Sequence, residues 1–299
     1  MRIGTDIRVG AATHTGSVRG TNEDDYLLVE SADRELAEHV GRIFVLADGM
    51  GGVTGGGEAS RAAVRSLAAG FLGGDTMDLS PVDRMVLGFD RACHRVFQLS
   101  RESPVLRGMG TTMTALNLVG DKALLGHVGD SRCLRLRDGK LTCLTEDHVS
   151  GEGDGDLMRC VGGGTDTEEV DLIECAVNSG DVYLLASDGL WGTVPEEVQS
   201  DLLARRDPQS AADELIRQAL LNGGPDNCTA VVLRIVEVGG RGEDMVEVAL
   251  STEEPGMAPP VAGKGQNLRR RRWPWLVMLG SVVVGSLAIL KAVFGVGVL

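Results

Sequence analysis

Aromatic side chains are scarce in this chain of 299 residues, where they make up 3% of the sequence. Hydrophobic residues together reach 43%, which is enough for a substantial core. Such a core must be packed by valine, leucine, alanine and isoleucine, with few stacked rings. The length alone allows one large domain or two ordinary ones.

Positive charge is also in short supply. Lysine and arginine number 29 against 43 aspartates and glutamates, which gives a formal net charge of −14. Non-specific nucleic-acid binding depends on neutralising backbone phosphates, so we expect no nucleic-acid partner. The surplus of carboxylates instead fits a domain that gathers acidic groups around bound metal ions.

Cysteine pairs with the spacing of zinc ligands are absent. The six cysteines form no CxxC pair, and none lies at zinc-finger spacing from a histidine. This usage predicts core thiols in a reducing compartment. Residues 1–16 contain no apolar segment of signal-peptide length.

The C-terminus carries one long apolar run. Residues 273–290 are nearly all apolar, Lys291 follows, and the tail to residue 299 is apolar again. About 20 such residues cross a membrane, and Arg269-Arg-Arg-Arg272 would mark the cytoplasmic side. We predict a single transmembrane anchor over residues 273–299 that holds a cytoplasmic domain at the cell membrane. The alternative is a buried hairpin or core helix, which the four arginines and the terminal position disfavour.

Composition divides the remaining chain in two. Residues 239–272 are rich in glycine, proline and glutamate, which predicts a flexible linker ending in the basic cluster. Residues 1–238 are predicted to be the globular domain. Within it, Ser80-Pro81 and Asp207-Pro208 are helix starts with a capping residue before proline. A further helix is predicted over residues 58–72.

Aspartates mark the ends of the predicted strands. Three follow an apolar run and two precede one: Asp48, Asp130 and Asp188 in the first group, and Asp24 and Asp226 in the second. In antiparallel neighbours the end of one strand lies beside the start of the next. We therefore expect all five at one edge of antiparallel sheets. A buried carboxylate is costly unless a positive group holds it, so this edge is a candidate site for hard cations with oxygen ligands.

The grouping of strands and helices indicates an α+β fold. The strands predicted over residues 112–119, 123–128 and 133–137 are separated by short loops, as in a meander. Asp138-Gly139 predicts a tight hairpin into the strand that starts at Lys140. Strict alternation of strand and helix is absent, which favours antiparallel sheets covered by helices.

Taken together and in order, seven segments resemble the metal-dependent, type-2C protein serine/threonine phosphatases. The resemblance covers residues 7–238. The segments are Arg19-Gly-Thr-Asn-Glu-Asp24, Asp48-Gly-Met-Gly-Gly52, Gly108-Met-Gly-Thr-Thr-Met-Thr114, Val128-Gly-Asp-Ser-Arg132, Leu144-Thr-Glu-Asp-His148, Ala186-Ser-Asp-Gly-Leu-Trp191 and Asp226-Asn-Cys-Thr229.

The resemblance implies a fold, a cofactor and a set of roles. The fold is a four-layer α/β/β/α sandwich of two antiparallel sheets flanked by helices. The cofactor is a pair of Mn²⁺ or Mg²⁺ ions with a third, weaker site. The implied roles are a bridging ligand at Asp48, a carbonyl ligand at Gly49, ligands at Asp188 and Asp226, contacts to the metals' waters at Glu23 and Asp24, a third-site ligand at Asp130, and a phosphate clamp at Arg19.

The implied activity is hydrolysis of phosphoserine and phosphothreonine in proteins, which reverses the action of a cognate serine/threonine kinase. Two cations can lower the pKa of a water and orient it for in-line attack on phosphorus. The guanidinium of Arg19 can fork two phosphate oxygens and stabilise the charge of the breaking bond. This chemistry needs no protein nucleophile.

Two segments depart from the family pattern. Met50 stands where many eukaryotic members have a histidine that is a candidate general acid, so we assign no general acid. His148 lies in a motif, and a structural role fits it at least as well as a catalytic one. The flap after it, residues 149–156, is short, acidic and rich in glycine, which predicts mobility and a more open site.

Two other functions are compatible with parts of the sequence. A catalytically weak, membrane-bound scaffold for phosphoproteins would keep the fold, but a decayed site normally loses ligand aspartates, and here all are kept. A dinucleotide-binding enzyme could use the glycine-rich residues 49–57. That segment lacks the third glycine of the dinucleotide fingerprint, and Glu58 would repel a pyrophosphate.

Overall fold

The apolar runs of the chain pair into two antiparallel sheets. The computed structural model describes residues 5–29, 40–51, 55–73, 76, 78–151 and 156–238. The strands are β1 (Asp6–His14), β2 (Asp24–Val29), β3 (Arg42–Met50), β4 (Gly110–Thr111), β5 (Met113–Val119), β6 (Lys122–Val128), β7 (Arg132–Arg137), β8 (Lys140–Cys143), β9 (Val161–Gly162), β10 (Asp171–Ala176), β11 (Val182–Ala186) and β12 (Cys228–Glu237). The helices are α1 (Gly55–Leu72), α2 (Pro81–Glu102), α3 (Asp188–Trp191), α4 (Glu196–Arg205) and α5 (Pro208–Leu221), with a short 3₁₀ turn at Pro104–Leu106.

One sheet has five strands in the order β1-β12-β11-β7-β8. The other has seven, in the order β10-β6-β5-β3-β4-β9, with β2 paired to β3. Every pairing among these strands is antiparallel. The antiparallel architecture predicted from the sequence is therefore confirmed.

Apolar side chains on the central strands point alternately to the two faces of each sheet, and this explains the four layers. On β3, Ile43 and Val45 pack against the layer formed by α1 and α2, whereas Phe44 and Leu46 face the other sheet. On β12, Val232 packs against the layer containing α4 and α5. Successive side chains point to opposite faces, so a strand covered on both sides reads as a continuous apolar run. The sandwich of two sheets flanked by helices is confirmed.

The predicted helix starts are confirmed by their caps. Ser80 precedes α2, and its Oγ accepts a hydrogen bond from the backbone N–H of Asp83 at 3.1 Å. Asp207 precedes α5, and its Oδ1 accepts one from the N–H of Ser210 at 3.1 Å. In both helices proline follows the cap, where its missing N–H leaves no donor unsatisfied.

The predicted meander is wrong in one respect. β5 and β6 pair in the seven-stranded sheet, whereas β7 and β8 pair in the five-stranded sheet. The loop over residues 129–131 therefore crosses between the sheets, and the positive φ of Gly129, at 114°, allows the sharp change of direction. The hairpin at Asp138-Gly139 is confirmed, with φ values of 51° and 75° at the two turn residues.

The predicted linker and anchor, residues 239–299, lie outside the described residues, as do residues 152–155 of the predicted flap. Among the helices of the described ranges, none combines the length and apolar composition needed to cross a membrane.

Candidate active site

A cavity of about 470 Å³ opens at the strand edge where the aspartates gather. Its walls come from the loop before β2, the end of β3, the crossover after β6 and the ends of β11 and β12 that face one another. The residues that line it include Arg19, Glu23, Asp48, Gly49, Met50, Thr112, Asp130, Leu157, Asp188, Asp226 and Asn227. The structure thus brings together every sequence-predicted site residue except Asp24, which is buried directly behind this lining.

Asp24 and Asp48 are opposite each other in the pairing of β2 with β3. Asp24 is buried, and its Oδ2 accepts hydrogen bonds from Thr229 Oγ1 at 2.6 Å and Ser187 Oγ at 2.9 Å. Burial nevertheless raises the pKa of Asp24 to about 7, because desolvation outweighs the two hydroxyl donors. The fold therefore makes the ionised form of this carboxyl less favourable than it is in water, unless a cation lies beside it.

Asp48 lies at the centre of the carboxyl group cluster. Its side chain is within hydrogen-bonding reach of those of Asp24 and Asp188, and burial raises the pKa of Asp48 and of Asp188. Asp24 Oδ1 and Asp188 Oδ1 are both buried, and neither has a hydrogen-bond partner in the described part of the chain. Carboxylates that face one another in this way need a proton or a cation between them.

The backbone around Asp48 is fixed by two threonines. Thr112 accepts a hydrogen bond from Asp48 N at its Oγ1 and donates its own N–H to Asp48 O, at 3.0 and 2.8 Å. Thr111 Oγ1 also donates to Asp48 O at 2.8 Å. A Cβ on Gly49 would lie 2.1 Å from the carbonyl oxygen of Gly56, so only glycine fits here. The carbonyl of residue 49 is thereby held at the wall of the cavity.

Asn227 attaches the loop that carries Arg19 and Glu23 to the start of β12. Its Oδ1 accepts from Glu23 N at 2.8 Å, and its Nδ2 donates to the carbonyls of Thr15 and Thr21 at 2.8 and 2.9 Å. Arg19 Nη2 donates to Asp226 Oδ2 at 2.6 Å, which raises the pKa of the guanidinium. The charge of Arg19 is therefore directed into the acidic cavity.

Asp130 sits on the crossover loop, on the opposite wall. Burial and the nearby Asp188 carboxyl raise the pKa of Asp130 to about 6. Trp191 Nε1 donates to the carbonyl of Asp130 at 3.1 Å. The indole ring also supports the guanidinium of Arg132, whose carbon lies 3.4 Å from the ring centroid, and Arg132 forks the Asp147 carboxylate.

Several residues of the site had no role in the sequence prediction. Thr112, Ser187, Trp191, Asn227 and Thr229 all hold a predicted ligand or the loop that carries one. Each lies inside one of the seven motifs. Four of them are polar side chains at an end of an apolar strand, and Trp191 is the last residue of α3. These positions mark the motifs in the sequence but do not reveal the hydrogen bonds that the side chains form.

The donor set fits hard divalent cations. It consists of carboxylate oxygens and a backbone carbonyl, which Mg²⁺ and Mn²⁺ prefer over nitrogen or sulfur. Within the described residues, no three His, Cys, Asp or Glu side chains alone form a group spaced to hold one ion. Cations at Asp48 would therefore take carbonyl and water oxygens as well, as Mg²⁺ commonly does.

Two apolar side chains stand out in the otherwise polar wall. Met50 follows the Asp48-Gly49 pair and is 36% exposed, and Leu157 reaches the cavity from the far end of the flap. The described parts of the flap are joined by a bridge between Val149 and Leu157. The predicted openness that a short flap would give stays a prediction, because residues 152–155 lie outside the described ranges.

An α/β/β/α sandwich with a carboxylate-lined cavity and an arginine at its rim defines a class of cation-dependent phosphoester enzymes. The family model "Protein phosphatase 2C" matches residues 15–221, well over half of the chain. The chain belongs to the protein phosphatase 2C family.

Curated relatives and solved structures agree with this assignment. The serine/threonine protein phosphatase PstP of Mycobacterium tuberculosis is 32% identical over 294 residues, which cover 91% of this chain. This chain spans about half of that relative's length, 54%. The serine/threonine phosphatase stp of Listeria welshimeri is 32% identical over 74% of this chain and 93% of its own. The catalytic domain of PstP in complex with two manganese ions superposes with a TM-score of 0.66 at 32% identity, covering 77% of this chain and 99% of that one.

Proposed function

We propose that this chain hydrolyses phosphoserine and phosphothreonine in proteins, in a reaction that depends on Mn²⁺ or Mg²⁺. The observation that carries the proposal is the cluster of Asp24, Asp48 and Asp188, in which two buried carboxylate oxygens have no partner among the described residues. The names of the relatives support it, as does the pair of manganese ions bound to the PstP catalytic domain.

The expected ligands follow from the lining of the cavity. Asp48 would be a ligand of both ions. The Gly49 carbonyl would be a further ligand of one ion, and Asp188 and Asp226 would be ligands of the other. Glu23 and Asp24 would orient waters of the metal shell, and Asp130 would serve a third ion. The bound pair would supply an activated, oriented water and would neutralise charge on the phosphoryl group.

The chain's own residues would bind and orient the substrate. Arg19 would fork the phosphoryl oxygens and stabilise the charge that develops as the ester bond breaks. The hydroxyls of Ser187 and Thr229 would fix Asp24 in place and favour its ionised form, which the bound cations would stabilise further. Met50 and Leu157 would contact apolar parts of the substrate beside the phosphorylated residue, since they are the cavity's apolar wall.

Full-length protein assayed with p-nitrophenyl phosphate and with a phosphothreonine peptide tests this proposal. We expect turnover in Mn²⁺, its loss in EDTA, and its return when Mn²⁺ is added in excess. Full activity in excess chelator would contradict metal dependence. Tight binding of the phosphopeptide without turnover would favour the phosphoprotein scaffold instead.

A membrane location is a second part of the proposal. The apolar residues 273–299 after Arg269-Arg-Arg-Arg272 support a single-pass anchor, and residues 239–272 support a flexible linker. The phosphatase domain, residues 1–238, would then lie in the cytoplasm. Its partners would be phosphorylated proteins and a serine/threonine kinase that acts on the same substrates.

Fractionation of cells that express the full chain tests the anchor. We expect the protein in the membrane fraction, resistant to carbonate and released by detergent. A variant that stops at residue 268 should move to the soluble fraction with its metal-dependent activity retained. Extraction of the full chain by carbonate alone would contradict a membrane-spanning segment.

A further inference from the structure

His148 makes both main-chain hydrogen bonds of Gly129, the residue directly before Asp130. The backbone N–H of His148 donates to Gly129 O at 2.8 Å, and Gly129 N donates to His148 Nδ1 at 3.0 Å. One residue thus takes the place that a neighbouring strand would have had. At Gly129 the chain leaves the seven-stranded sheet and crosses to the five-stranded one. The backbone N–H and C=O of Gly129 therefore need partners other than a paired strand, and His148 supplies both.

The crossover loop has little freedom elsewhere. A Cβ on Gly129 would lie 2.5 Å from Thr112 Cβ, and Ser131 Oγ is 2.8 Å from Thr112 Oγ1. Trp191 holds the carbonyl of Asp130. The contact with His148 is therefore the support on the side of the flap, and it fixes the peptide unit from which the Asp130 side chain starts.

The imidazole of His148 is itself oriented. Its side chain is 8% exposed, and its Nε2 lies 3.2 Å from Asp171 Oδ2. Because Nδ1 accepts from Gly129 N, the ring proton belongs on Nε2, where it faces the Asp171 carboxylate. Arg159 Nη1 donates to Asp171 Oδ1 at 3.0 Å and lies 2.8 Å from His148 Nε2. With the ring proton on Nε2, both groups are donors, so they share the Asp171 carboxylate as acceptor and do not bond to each other.

We propose that His148 is a positioning residue that fixes Asp130 through the main chain of Gly129, so that it sets the affinity of the weakest metal site. The inference rests on the role of Asp130 in the proposed function. His148 contacts no substrate in this scheme. Outer-shell groups that orient a ligand commonly change metal affinity by about 10- to 100-fold when they are replaced.

A matched pair of substitutions separates the contribution of the Nδ1 contact from that of the Nε2 contact. In His148→Asn the amide oxygen can take the place of Nδ1 and keep the bond from Gly129. In His148→Gln the amide group lies near the position of Nε2, so the contact with Asp171 can persist while the bond from Gly129 is lost. A general packing role would respond similarly to both changes, whereas the positioning role predicts that only glutamine is harmful.

Mn²⁺ titration of the full-length protein by calorimetry is the first readout. We expect His148→Gln to weaken the weakest Mn²⁺ site by about tenfold, with His148→Asn within about twofold of the wild type. The second readout is amide hydrogen exchange of the 129–131 loop, which should be faster in His148→Gln only. Asp171→Asn keeps the imidazole but removes the carboxylate that orients it. We expect this variant to show weaker Mn²⁺ binding and faster exchange of the 129–131 loop, both to a smaller extent than His148→Gln.

The Asp130→Asn background distinguishes the two proposals. There, His148→Gln should weaken Mn²⁺ binding no further, because it acts through Asp130. Equal effects of glutamine and asparagine, or a tenfold effect that persists in Asp130→Asn, would overturn the positioning role. If Asp130→Asn binds Mn²⁺ as the wild type does, the assignment of Asp130 fails, and the inference with it, while phosphatase activity in Mn²⁺ would still stand.

Discussion

Arg19 and Asp226 form an ion pair across the mouth of the cavity, with 2.6 Å between Nη2 and Oδ2. The arginine is 56% exposed and the aspartate 30% exposed, so the pair is partly solvated. A guanidinium carries five N–H donors in a planar fork. The same side chain can therefore touch Asp226 and present other donors to a phosphoryl group.

Replacing Arg19 by alanine should reduce kcat/KM for a phosphothreonine peptide by about 10- to 100-fold. Charge-assisted hydrogen bonds are worth about 1.5–3 kcal/mol, and the largest part should be lost in the transition state. Arg19→Lys should be intermediate, because an ammonium keeps the charge but cannot fork two oxygens. Steady-state kinetics in saturating Mn²⁺ measures both.

Arg205→Ala is the matched control for that experiment. Arg205 also forms an ion pair, with Asp201 on α4, but it is 78% exposed and does not line the cavity. We expect its kcat/KM to equal that of the wild type. An Arg19→Ala enzyme with the same kcat/KM would remove this arginine from the substrate site.

Asp48→Asn should abolish most activity and yet stabilise the protein in EDTA. Burial and the neighbouring carboxyls raise the pKa of Asp48 well above its usual range. A carboxyl whose pKa is raised by folding destabilises the folded state above the unfolded value of about 3.9, and the neutral amide removes this cost. Turnover should fall by at least about 100-fold, since the proposed metal ligand loses one carboxylate oxygen and its negative charge.

Thermal unfolding at pH 7.5 in EDTA measures the stability effect. A gain of about 1 kcal/mol would raise Tm by roughly 2–4 °C in a domain of this size. Asp121→Asn, at an exposed turn between β5 and β6, should change neither Tm nor activity. A lower Tm for Asp48→Asn would mean that the carboxylate is stabilised by groups other than those seen around it.

Much of the fold was predictable because local signals agreed with one another. Ser80-Pro81 and Asp207-Pro208 specify helix starts through capping and proline geometry, which depend on few neighbours. The gathering of aspartates at one sheet edge followed from antiparallel pairing alone. The division of the strands between two sheets was not predictable from the short loops, because a three-residue connection can join strands within a sheet or cross between sheets.

The site was predictable as a set of acidic residues but not as a network. Asp48 and Asp188 end apolar strands and are visible in the sequence. The bonds from Thr229 and Ser187 to Asp24 join residues about 160 to 200 positions apart, and only the packing of the sheets brings them together. Likewise, nothing local showed that His148 supplies the missing ladder partner of Gly129.

Ser80→Ala should destabilise the protein by about 1 kcal/mol without affecting catalysis. Ser80 Oγ accepts from Asp83 N and lies 2.7 Å from Asp83 Oδ2, so the change removes a capping interaction at α2. Urea unfolding should show a lower midpoint with an unchanged m-value. A midpoint equal to that of the wild type would contradict the capping role of Ser80.

The buried ring of His127 makes the folding stability of the domain depend on pH, and a substitution can measure this contribution separately. Its ring is buried, with Nε2 3.2 Å from the carbonyl of Glu146 and Nδ1 2.9 Å from Thr114 Oγ1. Burial, together with the neighbouring His148, lowers the pKa of His127 to about 4 from its usual 6.5. Between these values the unfolded chain binds the proton and the folded chain does not, so folding stability falls as pH decreases through this window.

The expected loss from His127 is about 3 kcal/mol between pH 7 and pH 4. The raised pKa values of Asp24 and Asp130 act in the opposite direction over part of the same range, because these carboxyls take up protons in the folded state. The contribution of His127 must therefore be measured as a difference from His127→Gln, whose amide cannot titrate.

Urea unfolding in EDTA at pH 7, 6, 5 and 4 measures this difference. We expect the variant to be less stable than the wild type at pH 7, and the gap in the free energy of unfolding to close as pH falls. A gap that stays constant across the four pH values would mean that folding leaves the pKa of His127 unchanged.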